Sequence, residues 1–325
     1  MISRNRTLAL VCVLATSILS NTTAFAQDID NTPINLIVPY APGGGVDTTT
    51  RVVAQALSSE LKRQVVVINR GGGGSTIGTN QAAKAPPDGR TLLYAGIGLA
   101  FQPAIFKNLP YDPKHDLEQI ATTGKQPYVL AIGPSLKVNN LAELIAEAKK
   151  RPEGLTFGTP GKGSAPHIVS ELLWSELGIK AIHVPYKGGS PAVIDLVGGR
   201  IDMVVGTTTL MTPHIKSGDL RGVAVTSSKR TLQLPDLPTV AEQGYPDFQF
   251  YTWSGIFAPT GTPDTFQSTL NKAMARALAH PQVKEVFERD GFEPLSMPPK
   301  EAQQFYLKEM DHWPEVIRKL GIQPE

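Results

Sequence analysis

The chain has 325 residues, 41% of them hydrophobic and 18% charged, with 31 basic against 29 acidic side chains and a single cysteine, Cys12. A net charge of +2 over this length leaves no basic footprint for nucleic acid or an anionic membrane, and one cysteine excludes an internal disulfide. Arg4 and Arg6, an apolar stretch over 7–19 and the small-x-small triplet Ala24, Phe25, Ala26 form the three-part pattern of a cleaved export signal. That stretch is shorter than the ~20 residues a membrane span needs. Residues 1–26 are therefore expected to be removed on export to the periplasm. Cys12 and two arginines go with them, and the remaining chain is formally neutral.

About 300 remaining residues suggest two domains. Short β-branched runs alternate with helical stretches. Ile34–Val38 reads as a strand and 46–62 as a helix with Val52, Val53, Ala56, Leu57 and Leu61 on one face. Strand 65–68, helix 75–84 and strand 91–94 follow. The alternation resumes with strand 129–132, helix 140–151, strand 155–158, helix 164–177 and strand 181–184. Helix 190–198, strand 201–205, helix 210–217 and strand 221–226 complete it. This is the signature of an α/β fold with mainly parallel sheets covered by helices. From Pro263 the pattern becomes purely helical, over 263–279, 282–290 and 299–320. These helices are expected to cover the first lobe, so that the chain crosses between lobes near Gly124–Pro127 and again near Thr226. The expected division is 27–124 with 226–325 as a discontinuous first lobe, 125–225 as the second, and a cleft between.

Open parallel sheets bind ligands beyond the carboxyl ends of their strands. The first loop there is PYAPGGGVD over 39–47, with Tyr40, Pro42, Gly43, Gly44 and Asp47 as candidate ligand-binding residues. Its glycines admit close backbone approach, and the following helix start favours an anion; a tight turn capped by Asp47 is the plainer reading. The second is GTPGKGSAPH over 158–167, with candidates Thr159, Gly161, Lys162, Gly163, Ser164 and His167. It is not a P-loop, which would require glycine at Thr156 and a hydroxyl at Gly163. Ser164 is a good helix cap, and His167 has the ordinary alternative of a packed core histidine. One such loop in each half makes a clamp. Lys187, in HVPYKGG over 183–189, and Gly206 and Thr207, ahead of Thr208 and Thr209, follow other strands of the second half. Asn69 and Arg70 open a further glycine-rich turn, and Tyr40, Phe101, Tyr251 and Trp253 are aromatic candidates for the pocket.

An enzyme is not expected. The nearest string to a nucleophile elbow, Gly74 to Gly78, has Thr76 at the nucleophile position. The six histidines lack metal-ligand spacing, and the remaining chain has no thiol. No catalytic residue, metal or cofactor is assigned.

The motif IVPYAPGGGVD over 37–47 resembles the opening of the Bug-type receptors, the extracytoplasmic solute-binding components of tripartite tricarboxylate transporters. The resemblance continues in order through NRGGG (69–73), PDG (87–89), LPYDP (109–113), GKGSAPH (161–167), HVPYKG (183–188), GGRID (198–202), LPDLPTV (234–240) and APTGTP (258–263). It implies a two-lobed flytrap of the periplasmic type II kind. A ligand carboxylate would be held by backbone groups and ordered waters of the loops mapped here to 40–47 and 159–167. It also implies a monomer that hands its ligand to the transmembrane permease subunits. Two departures bear on specificity. Lys162 stands where many relatives have a small or amide residue, and Thr207 to Thr209 where an acidic or amide residue is frequent. The second favours a pure carboxylate over an amino acid. A sensor lobe presenting its closed form to a signalling partner, and a secreted hydrolase, are the competing functions.

Overall fold

A computed structural model describes residues 32–43 and 45–324; the expected export signal and Gly44 lie outside the described residues. Strand β1 (Ile34–Val38) pairs in parallel with β2 (Val65–Asn69) and β3 (Thr91–Gly96). Helices α1 (Gly45–Leu61), α2 (Thr76–Ala83) and α3 (Gly98–Ile105) follow these strands. The second half repeats the arrangement. There β5 (Leu155–Thr159) pairs in parallel with β6 (Ala181–Pro185) and β7 (Met203–Thr207), and α4 (Leu141–Ala148), α5 (Ala165–Leu177), α6 (Gly189–Val197) and α7 (Thr208–Ser217) lie around it.

Between these parallel flanks the sheet is antiparallel, which corrects the expectation of mainly parallel strands. One strand, β4 (Leu117–Ile132), pairs through Leu117–Pro127 with β9 (Tyr251–Pro259) and through Tyr128–Ile132 with β7 and β8 (Arg221–Val225). It thus joins the two parallel flanks into one sheet. The sequence hid its first half because that stretch is buried on both faces and does not alternate. Pro127, ordinarily a strand breaker, falls at the last pair before the partner changes. Thr226 staples the return. Its N–H donates to the Tyr128 carbonyl at 2.9 Å, and its carbonyl accepts from Phe250 at 2.8 Å.

The three late helices are α8 (Asp264–Leu278), α9 (Pro281–Asp290) and α10 (Pro299–Lys319). The first two bury Leu270, Met274, Val283 and Phe287 against Ile34, Leu36, Val53 and Leu57. The third lays Trp313 edge-on to Phe101 and Phe250, at 5.2 and 5.3 Å. Short β10 (Glu293–Pro294) pairs with Lys125 and Gly124 of β4. Among the described residues no helix is long and apolar enough to cross a membrane.

Candidate functional site

The first loop leaves β1 at Val38 and enters α1 at Gly45. Asp47, buried in the first turn of α1, ties it down. Its Oδ2 accepts from the Gly43 N–H at 2.9 Å and Arg51 Nε at 3.1 Å, and its Oδ1 accepts from Asn69 Nδ2 at 2.8 Å. Arg51 also donates to Asn69 Oδ1 at 2.8 Å, and Asn69 donates to the Tyr40 carbonyl at 3.2 Å. Burial alone would raise the Asp47 carboxyl, but hydrogen bonds from Arg51, Gly43 and Asn69 outweigh it and hold the pKa below the usual value. Asp47 therefore braces the loop from within. Gly43 supplies the positive φ of +82° that the turn requires. Pro42 is exposed beside it. Arg51 was legible as an i, i+4 partner of Asp47; Asn69 was not, because only the β1–β2 pairing brings it there.

Tyr40 is 38% exposed over the whole residue, yet burial raises its phenol pKa. The hydroxyl end is thus enclosed, hydrogen-bonded to Ser75, while the rest faces solvent. Ser75 Oγ in turn accepts from Gln102 Nε2 at 3.1 Å, and Gln102 Oε1 from the Tyr111 hydroxyl at 2.7 Å.

The second loop runs from Thr159 of β5 to α5. Thr159 Oγ1 meets His183 Nε2 at 2.6 Å and accepts from the Gly161 N–H at 3.1 Å. The Gly161 carbonyl accepts from Ser164 Oγ at 2.7 Å, and Ser164 caps α5. His167 is buried beneath the turn, its ring stacked on His183 with centroids 4.1 Å apart. Its Nδ1 accepts from the Gly163 N–H at 3.2 Å, which requires the neutral ring. Burial first, then His183 and the Lys162 ammonium, depress its pKa from 6.5 to about 3. Burial and Lys162 also lower His183. Lys162 thus sits exposed above two neutral imidazoles. His183, on β6, supports this loop from the neighbouring strand.

Helix α3, hidden in the sequence because Gly98 and Pro103 interrupt a largely apolar, buried run, connects the two loops. A β-carbon built at Gly98 would stand 3.7 Å from the Tyr40 hydroxyl, and one built at Gly163 only 2.5 Å from Cγ2 of Ile105. The two ends of one eight-residue helix therefore touch the two glycine-rich turns. The loop after β6 lies against the second turn, where the Tyr186 N–H donates to the Thr159 carbonyl at 2.9 Å.

The remaining candidates are placed differently. Lys187 is exposed on that loop. Gly206 is packed under Met211, and Thr207 caps α7 without a side-chain bond. The Thr208 and Thr209 hydroxyls donate to the Asp290 carbonyl rather than standing open as donors. Phe101 and Trp253 are core residues, and Trp253 Nε1 donates to Glu309 at 2.6 Å. Tyr251 lies under the Lys125 ammonium.

The two loops, each braced by its own side chains, stand at opposite ends of α3. The model of the tripartite tricarboxylate transporter family receptor matches residues 49–322. The chain belongs to this family. It is 36% identical to protein BugT of Bordetella pertussis over 295 residues, 89% of each chain. Among solved structures it is similar to the periplasmic binding protein BugD, at 36% identity and a TM-score of 0.81 over 90% of this chain and 99% of that one. Rpa4515 of R. palustris, solved with adipate, matches at 31% and 0.83 over 90% and 99%. MatC of Rhodopseudomonas palustris, solved with malate, matches at 29% and 0.77 over 88% and 98%. The family of this receptor is one of solute-binding proteins, and its fold is the two-lobed periplasmic one.

Proposed function

We propose that this receptor captures a small di- or tricarboxylate, or an aromatic carboxylate, between its lobes and delivers it to the permease subunits of a tripartite transporter. The observation that supports the reading is the pair of braced loops, 40–47 and 159–167, at opposite ends of α3. Adipate in Rpa4515 and malate in MatC support an acid ligand. The lobes are taken as 27–124 with 226–325, and 125–225, in keeping with the change of partners along β4. The positive ends of α1 and α5 attract the carboxylate, and closure strengthens that attraction by excluding water. Lys162 takes a second, distal acid group. The cycle is capture and release by a monomer, without bond chemistry or a cofactor, in the periplasm after residues 1–26 are removed.

The test is a thermal-shift and calorimetric screen of the exported protein against adipate, malate, citrate, benzoate and their methyl esters. A free acid at a hundredfold its Kd should stabilise the fold by about 2.7 kcal/mol, and the matching ester should not. Equal shifts from acids and esters, or no shift from any acid, would remove the carboxylate reading.

A further inference from the structure

We propose that Gln126, acting with Thr208 and Thr209, is a positioning device that sets the angle between the lobes and so the length of ligand the cleft accepts. Gln126 lies on β4 two residues before the strand changes partner: it pairs with Thr252, Pro127 with Tyr251, and Tyr128 already with Thr207 of the other sheet. Its side chain is buried. Nε2 reaches Thr208 Oγ1 at 2.7 Å, Thr209 Oγ1 at 2.8 Å and the carbonyl of Asp290. Both threonine hydroxyls donate to that same carbonyl, at 2.8 and 3.0 Å. Thr208 and Thr209 open α7, which packs in the core with Val129, Val204 and Val225. Asp290 closes α9, which packs with β1 and α1. The contact is therefore a junction between lobes, centred on the strand that joins them.

Its polarity is favourable. Thr207 gives α7 no side-chain cap, so the first turn presents a positive end. The last carbonyl of α9 presents a negative one. Arg289 grips the Asp290 carboxylate with two bonds, Nε to Oδ1 at 2.7 Å and Nη2 to Oδ2 at 3.1 Å, and fixes that helix end. Gln233, whose neighbour Leu234 packs in the core with Val129 and Val225, donates to the Glu288 carbonyl two residues back. The approach is close enough to require glycine. Gly291 has φ +75°, and a β-carbon there would lie 2.5 Å from Thr208 Oγ1. The helix start of α7 follows a parallel strand, as those of α1 and α5 do, but it meets the protein's own carbonyl. Rotation of the lobes about β4 must break these bonds or keep to the angle they allow.

The effect on ligand length rests on the cleft reading above, whereas the effect on angle does not, and the experiment separates them. Spin labels at Gln55→Cys on α1 and Glu176→Cys on α5, both exposed, report the interlobe distance in unliganded exported protein by pulsed electron resonance. Thr208→Val/Thr209→Val keeps shape but removes both hydroxyls, and should displace and broaden the distance distribution. Thr208→Ser/Thr209→Ser keeps the hydroxyls and should restore it. Gln126→Glu, which sets an acceptor against the Asp290 carbonyl, should act like the valine pair and serves if that pair does not fold. Where adipate and malate bind, the valine pair should change their affinity ratio by about tenfold. A folded valine pair or Gln126→Glu with the wild-type distribution overturns the proposal, whatever the ligand screen returns. A displaced distribution with an unchanged affinity ratio retains the hinge and removes the length selection.

Discussion

Acidification should loosen the second loop through one residue, His167. The neutral ring accepts the Gly163 N–H at 3.2 Å and stacks on His183; a proton on Nδ1 would set donor against donor. Groups around it offer little relief. Lys162 and His183 oppose a positive charge, and the Glu171 carboxylate, 3.6 Å from Nε2, is itself destabilised by burial. Because the folded pKa is depressed, to about 3 from 6.5, the stabilisation is complete above pH 6.5 and is lost as pH falls towards 3. The full shift corresponds to about 5 kcal/mol as a ceiling, and the part lost by pH 4 to about 3 kcal/mol. His167→Asn keeps an acceptor near the Nδ1 position and cannot titrate. Urea unfolding of both proteins from pH 7.5 to 4, monitored by tryptophan fluorescence, cancels the carboxylates they share. The wild type should lose about 3 kcal/mol more than the variant over that range. Parallel curves would refute the buried neutral imidazole as the support of this loop.

Three further outcomes test the remaining parts of the site. Asp47→Ala strands the Gly43 N–H, Asn69 amide and Arg51 guanidinium and should cost about 2–4 kcal/mol in denaturant unfolding; a loss under 1 kcal/mol would mean the loop needs no brace. Its depressed pKa adds stability at neutral pH that disappears below the usual carboxylate range. Gly163→Ala meets Ile105 and an unfavourable φ of +75°, so a loss of about 1–3 kcal/mol is expected. Pairing it with Ile105→Ala should recover part of that loss, and strict additivity would show that the two do not touch. Lys162→Ala should weaken a dicarboxylate about ten- to hundredfold more than its monocarboxylate analogue; equal, salt-sensitive losses would limit Lys162 to long-range attraction.

The loops and the alternation that places them were legible because their causes are local. A run of β-branched residues ending in Pro39 and Gly43, or in Thr159 and Gly161, reads as a strand leading into a helix start wherever it occurs. Ser164 caps α5 as its position suggests. The crossings near Gly124–Pro127 and Thr226 were legible as breaks in the alternation, but the strands that make them were not. In β4 and β9 both faces are buried, so period-two alternation disappears and Gly124 and Pro127 look like loop residues. Helix α3 failed for the related reason that nearly all of it is buried. Roles that depend on partners far along the chain were decided only by packing. Asp47 was visible as a capping acid, but its bond to Asn69 exists because β1 and β2 are neighbours. Thr208 and Thr209 read as open donors until α9, 81 residues later, put the Asp290 carbonyl against them. Local propensity determined which groups stand at the strand ends; the antiparallel crossing of β4 determined which of them meet the protein's own backbone.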